Sequence, residues 1–272
     1  MVRRTPQSPP PSPADELDQP TREFYLGSLD VLDRAGIPYC VAGAYALAAH
    51  AGIIRHTKDL DIFLKRDDVG RAMKAYEAAG CRTERTHPHW LAKAFAPPPV
   101  DAFVDLIFRA ASGMWEVDDE WLSHAKLGEV AGRNAPLCPA EELIWSKAMV
   151  MERHRFDGAD IAHIIHSTGP RLDWDRMTRR AIGHEGILLG HLAFYRYIYP
   201  READYVPLQV MEQLLRRMCE QSKPDAALCR GTMLSWEQYL PDVKKKGLID
   251  GRLKPFGRLT QQEIDRWTNA DK

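Results

Sequence analysis

Residues 55–65 read "RHTKDLDIFLK", with two aspartates two positions apart against an apolar run. Side chains of a β-strand alternate faces with a rise of about 3.3 Å per residue, so Asp59 and Asp61 would hold carboxylates about 6 to 7 Å apart on one face. Leu60, Ile62 and Leu64 would share the other face and anchor the strand in a core. Like charges that close, and partly desolvated, raise each other's pKa unless a cation sits between them. A divalent ion is the economical solution, since Mg²⁺ is usually held by one or two carboxylates, waters and substrate phosphates. Taken alone, D-x-D on an amphipathic strand also fits a solvated strand face.

Neighbouring segments sharpen the pattern. "IPYCVAG" reads as a short strand ending at Gly43, and "AYALAAHAG" resumes helical character. Gly43 and Ala44 therefore sit at a strand-to-helix junction, where free N–H groups and the helix dipole suit a phosphate. "FVDLIF" places Asp105 inside another apolar strand, where a lone carboxylate is costly unless paired, hydrogen-bonded or bound to an ion. Lys147, Arg153 and Arg155 in "SKAMVMERHRFDGAD" are candidate phosphate contacts, with Asp157 and Asp160 as partners or helix caps. A surface salt-bridge cluster would use the same residues. Asp101, behind the prolines at 97–99, reads as a strand-start residue. His87 and His89 read as a turn, and His163 and His166 as part of an apolar helix face, rather than as zinc ligands. Of Trp90, Trp115, Trp121 and Trp145, at least three are expected in the core.

The elements that must position these groups follow from periodicity. "TREFYLGSLDVLDRAG" has helical spacing, with Thr21 as the expected N-cap and Gly36 as the stop. "LDIFLK", "CRTERTH", "HWLAKAFA" and "FVDLIF" read as strands, with a helix over "RDDVGRAMKAYEAAG". From "PAEELIW" onward the pattern is almost wholly helical. The expected fold is thus an α/β N-terminal domain with a mixed sheet followed by an all-helical C-terminal domain. The expected boundaries are a disordered leader at 1–20, then 21–137, 138–222 and a C-terminal extension at 223–272.

Composition bounds the partners. The 44% hydrophobic and 28% charged residues are ordinary for a globular chain, and no apolar run reaches membrane-spanning length. The proline-rich opening lacks the apolar core of a secretory signal. Five scattered cysteines without a C-x-x-C pair point to reduced thiols in a cytoplasm. A net charge of −1 gives no global attraction to polyanions, so RNA would be met only through local basic patches such as "DVKKKGLIDGRLKPFGR".

The order "VAGAYALAAHAGIIRHTKDLDIFLK" followed by "FVDLIF" resembles the nucleotidyltransferase fold of the DNA polymerase β superfamily. Its pattern is an hG[G/S] turn, a helix, D-h-D on a strand and a third acidic residue on a later strand. The R-x-T-x-D-x-D run at Arg55, Thr57, Asp59 and Asp61 resembles small bacterial nucleotidyltransferases, among them antibiotic-modifying enzymes and toxin or phage-defence members. The resemblance spans about residues 20 to 110, and Ala44 departs from it by replacing the second glycine or serine, leaving only a backbone donor. It implies Mg²⁺ or Mn²⁺ on Asp59, Asp61 and Asp105, and an NTP substrate bound by Gly43, Ala44, Arg55, Thr57 and Lys147. The implied reaction transfers a nucleoside monophosphate to a hydroxyl of a small molecule, RNA or protein, with release of pyrophosphate. The alternative class is a binding module that keeps the fold without turnover. A metal-dependent hydrolase is disfavoured, because no general base or nucleophile array stands out.

Overall fold

The computed structural model describes residues 12–55, 57–220, 227–254 and 258–269; His56 of the aspartate-bearing stretch and residues 1–11 of the expected leader lie outside them. Within the expected leader, Pro13–Glu16 form a 3-10 turn capped by Ser12, and Ala14 is buried.

Helix α1 (Gln19–Arg34) starts where the Asp18 carboxylate accepts from the Thr21 N–H at 2.8 Å. Asp18, not Thr21, is therefore the cap, because a carboxylate there satisfies a donor of the first turn while Pro20 needs none. Next come β1 (Tyr39–Val41), α2 (Gly43–Ala51), β2 (Asp59–Leu64), α3 (Val69–Ala78), β3 (Arg82–His87), β4 (Leu91–Phe95) and β5 (Phe103–Ile107). Asp101 lies exposed ahead of β5 rather than at its start. Helix α4 (Asp119–Ser123) precedes a hairpin of β6 (Lys126–Val130) and β7 (Arg133–Leu137).

These strands form one mixed sheet in the order β3-β4-β5-β2-β1-β7-β6. β2 and β5 run parallel at its centre, with Asp61 opposite Asp105, and β4 runs antiparallel to β5, with Lys93 opposite the same Asp105. Leu60, Ile62 and Leu64 are fully buried on the side covered by α1 and α3. Phe63 points the other way and meets Trp121 edge-on at 5.2 Å. The alternation of β2 therefore sends Asp59 and Asp61 to the face that the second half of the chain covers.

That half begins with α5 (Ala140–Ala148), whose first turn carries Glu141 and Glu142. The hairpin β8 (Met151–Glu152) and β9 (Arg155–Phe156) follows, then α6 (Gly158–Thr168), α7 (Trp174–Arg180), α8 (Glu185–Ile198) and α9 (Leu208–Glu220). The portion is helical as expected, but the hairpin interrupts it: pairing of Met151 with Phe156 and Glu152 with Arg155 wins over the helix propensity of "MERHRF". Beyond it lie β10 (Leu228–Cys229), α10 (Trp236–Lys246), β11 (Ile249–Asp250), paired parallel to β10, and α11 (Gln261–Asn269). One hydrophobic cluster runs from Cys40, Ala46 and Phe63 of the sheet side to Ile144, Ile164 and Leu192 of the helices, so the two halves share a core. Trp115, Trp121 and Trp145 belong to it. Among the described residues no helix is long and apolar enough to cross a membrane.

Candidate active site

The sheet brings Asp59, Asp61 and Asp105 together. Each offers an oxygen, and these atoms lie within 4.8 Å of one another, closer than the strand spacing alone gives, because the side chains converge. Two of the three come from one strand by the period-two rule, and the third arrives through the parallel register of β5.

Gly43 makes room for the cluster. Its φ is +54°, in the region that favours glycine, and a Cβ built there would lie 1.8 Å from Asp61 Oδ2 and 2.8 Å from its Cγ. The main chain of the same turn is tied to β2, with Ala42 N donating to Asp61 O at 2.9 Å. Gly43 thus seats the Asp61 carboxylate against the start of α2, and both Gly43 and Ala44 line the cleft in front of it.

Electrostatics follow from the packing. Burial pushes the Asp61 carboxyl up to about 7, helped by Asp59 and Asp105 and opposed by Lys147 and Arg155. Burial also raises Asp105, against Lys93, whose Nζ donates to Asp105 Oδ1 at 2.7 Å. Asp59 is held by Thr57, whose hydroxyl donates to Asp59 Oδ1 at 2.7 Å. Thr57 also lines the cleft, and its hydroxyl orients the Asp59 carboxylate.

Across the cleft, of about 410 Å³, stand the cations. Lys147 on α5 donates to Asp157 at 3.2 Å and to Asp160 at 2.8 Å. Arg55 reaches Asp160 at 3.0 Å and Arg155 reaches Asp157 at 2.9 and 3.0 Å. Burial would raise the Asp157 carboxyl, but Arg155 and Lys147 outweigh it and hold it low. Three cations on two carboxylates leave an excess positive charge facing the triad. Arg153 is exposed and does not line the cleft. Trp90 is half-buried at the cleft edge, and among the described residues no His or Cys joins a metal-binding group.

Lys93 escaped the sequence reading, whereas Asp157 and Asp160 stand as partners of the cations, one of the two roles the sequence offered for them. The signal for Lys93 is the alternation of "LAKAF", which places it on one face, but its meeting with Asp105 depends on the β4–β5 register.

A mixed sheet whose central parallel pair presents three carboxylates beside a strand-glycine-helix turn has the architecture of a nucleotidyltransferase. Residues 30–187, more than half of the chain, match the family described as "Uncharacterised nucleotidyltransferase", and the protein belongs to that family. Solved structures similar to it include the antibiotic-resistance factor ANT(2'')-Ia, at 18% identity over 68% of this chain and 97% of that one, with a TM-score of 0.39. The lincosamide antibiotic adenylyltransferase LnuA is similar at 14% identity over 54% of this chain and 96% of that one, TM-score 0.38. An antigenic nucleotidyltransferase-like protein from Paracoccidioides brasiliensis is similar at 15% identity over 70% and 93%, TM-score 0.44. No curated protein matches the chain.

Proposed function

We propose that this protein transfers a nucleoside monophosphate from an NTP to an acceptor hydroxyl and releases pyrophosphate. The observation that supports this best is the seat of Asp61: three carboxylates converge within 4.8 Å, and a glycine is required where any side chain would displace one of them. Such a cluster is unfavourable unless protons or a cation neutralise it. An all-oxygen, all-carboxylate donor set fits a hard divalent ion, so Asp59, Asp61 and Asp105 would hold Mg²⁺ or Mn²⁺. When bound, the metal supplies charge neutralisation for the phosphates and for the attacking and leaving oxygens.

The chain's own groups account for the rest. Lys147, Arg155 and Arg55 would offset charge on the triphosphate, giving up part of their bonding to Asp157 and Asp160, and the backbone N–H at Ala44 would add a donor. The acceptor oxygen forms a bond to the α-phosphorus, the bridging bond from that phosphorus to the β-phosphate oxygen breaks, and pyrophosphate leaves with the electron pair. Asp105, kept in place by Lys93, would take up the hydroxyl proton. With five free cysteines we place the reaction in a cytoplasm. Incubation with each α-labelled NTP, Mg²⁺ and a cell extract tests the proposal: label should enter an acceptor with wild type and not with Asp59→Asn. Absence of label with every NTP, beside intact NTP binding, would favour the binding module.

A further inference from the structure

A second cavity, of about 650 Å³, adjoins the carboxylate cleft, and Trp90, Ser146, Val150 and Arg155 line both. Its size is that of a small-ligand site. One wall is the β3–β4 turn. The opposite wall comes from residues beyond the family match, chiefly Trp236, Arg266 and Trp267.

That wall is built into the fold. The Trp267 ring stacks on His89 at 4.5 Å and 20°. It also lies where a Cβ on Gly113, whose φ is +75°, would come within 2.5 Å of it. Glu263 of α11 pairs with Arg66 of the sheet domain, and Arg258 donates to Glu116 at 2.7 Å. These contacts fasten α11 beside the turn after β3 and so fix the shape of the cavity.

The lining is cationic and aromatic. Arg85, Arg155 and Arg266 face one carboxylate, Glu152, which is already engaged by the Ser235 hydroxyl at 2.5 Å. Arg155 is paired with Asp157, whereas among the described residues neither Arg85 nor Arg266 has a carboxylate within ion-pair distance. Trp236, 39% exposed, and Trp90, stacked on His87 at 5.4 Å, both line the space. Burial pushes His89 down to about 3, so its ring is uncharged. Arginines with stacking rings recognise an anion joined to a planar ring, and they repel a polycation.

We propose that this cavity binds the acceptor, and that the acceptor is a nucleotide. Its phosphate meets Arg85 and Arg266, its base lies against the tryptophans, and its sugar hydroxyl reaches the adjoining carboxylates. This assignment rests on the nucleotidyl transfer proposed above. A free mononucleotide and the terminal residue of an RNA strand offer the same chemistry.

The test uses the full chain with the carboxylate cleft first filled by Mg²⁺ and a non-hydrolysable NTP. Binding of AMP and of a short single-stranded oligoribonucleotide is then measured for wild type, for Arg85→Glu/Arg266→Glu and for Trp236→Ala, each checked by thermal melting. At least one probe should bind, and each variant should weaken it about tenfold or more at low salt, with Mg–NTP binding unchanged. Trp236→Ala keeps the test usable if the charge reversal unfolds the chain. A companion assay with α-labelled NTP assigns the source: label on AMP means a free nucleotide, and label on the oligomer that disappears with a 3′-deoxy end means a chain terminus. If neither probe binds, or binding ignores both variants while Mg–NTP binds normally, the acceptor assignment is overturned and the transfer reaction stands. If wild type binds no Mg–NTP at all, the transfer proposal fails, and the acceptor assignment with it.

Discussion

At the residue scale the site is governed by the cost of holding three carboxylates together. The Asp61 carboxyl sits at about 7, above its ordinary value. Its contribution to apo stability is therefore full below about pH 4 and is lost as pH rises through 7, because the unfolded chain ionises first. In EDTA, Asp61→Asn should match wild type near pH 4 and exceed it at pH 8 by up to about 4 kcal/mol, since each tenfold change in proton affinity is worth about 1.4 kcal/mol. Denaturant unfolding across that range checks this. A loss of about 3 to 5 kcal/mol at pH 8 would instead mark Asp61 as a structural partner in a desolvated pair. Thr57→Val, nearly isosteric, removes the hydroxyl that orients Asp59 and should weaken Mg²⁺ binding about 10- to 100-fold while leaving the melting temperature nearly unchanged. Gly43→Ala should do both kinds of damage, costing about 1 to 3 kcal/mol in backbone strain and swinging Asp61 out of the cluster, visible as a lower melting temperature and lost Mg²⁺ binding. The aspartates were legible in sequence because period two and an apolar opposite face are local facts. Thr57 was named as well, but its bond to Asp59 was not, and Lys93 was missed, since these pairings follow from the loop path and strand register.

At the element scale, the parallel pairing of β2 with β5 sets the triad, and α5 brings Lys147 to it. α5 is itself held from the other side: Arg176 of α7, 3% exposed, bonds Glu141 at 2.7 Å and Glu142 at 3.2 Å, and Arg180 adds a contact to Glu142 at 3.4 Å. Burial raises the Glu142 carboxyl to about 7 even so, with both arginines opposing. Arg176→Met should cost about 3 to 5 kcal/mol in denaturant unfolding at pH 8, where Glu142 is charged, and less at pH 5, where it can take a proton. The order of strands and helices up to β5 could be read from alternation, glycine stops and proline positions. The β6–β7 and β8–β9 hairpins could not: Gly128, Asn134 and Pro136 weaken the strand signal of the first, and the second is a short pair of charged, helix-tolerant residues that owes its state to neighbours rather than to propensity.

At the scale of the whole molecule, the chain is organised around the space between the sheet and the helices. The hydrophobic cluster crosses from one to the other. The triad stands on the sheet side and Lys147, Asp157 and Asp160 on the helical side. A change of composition near residue 138 is visible in sequence, but the shared core is not, since it depends on which faces meet. The C-terminal segment was the least legible part: its fixed points are single tertiary contacts, Trp267 on His89 and Glu263 on Arg66, which depend on where α11 docks. From this arrangement comes the central claim, that metal and nucleotide complete one another's site between the two halves. Thermal denaturation with Mg²⁺ alone, NTP alone and both together tests it most directly. Ligands that bind only the folded state stabilise it by mass action, about 2.7 kcal/mol at a hundredfold excess over Kd. The pair should raise the melting temperature by more than the sum of the separate rises, and NTP in EDTA should have little effect. Equal stabilisation by NTP with and without EDTA would contradict the claim.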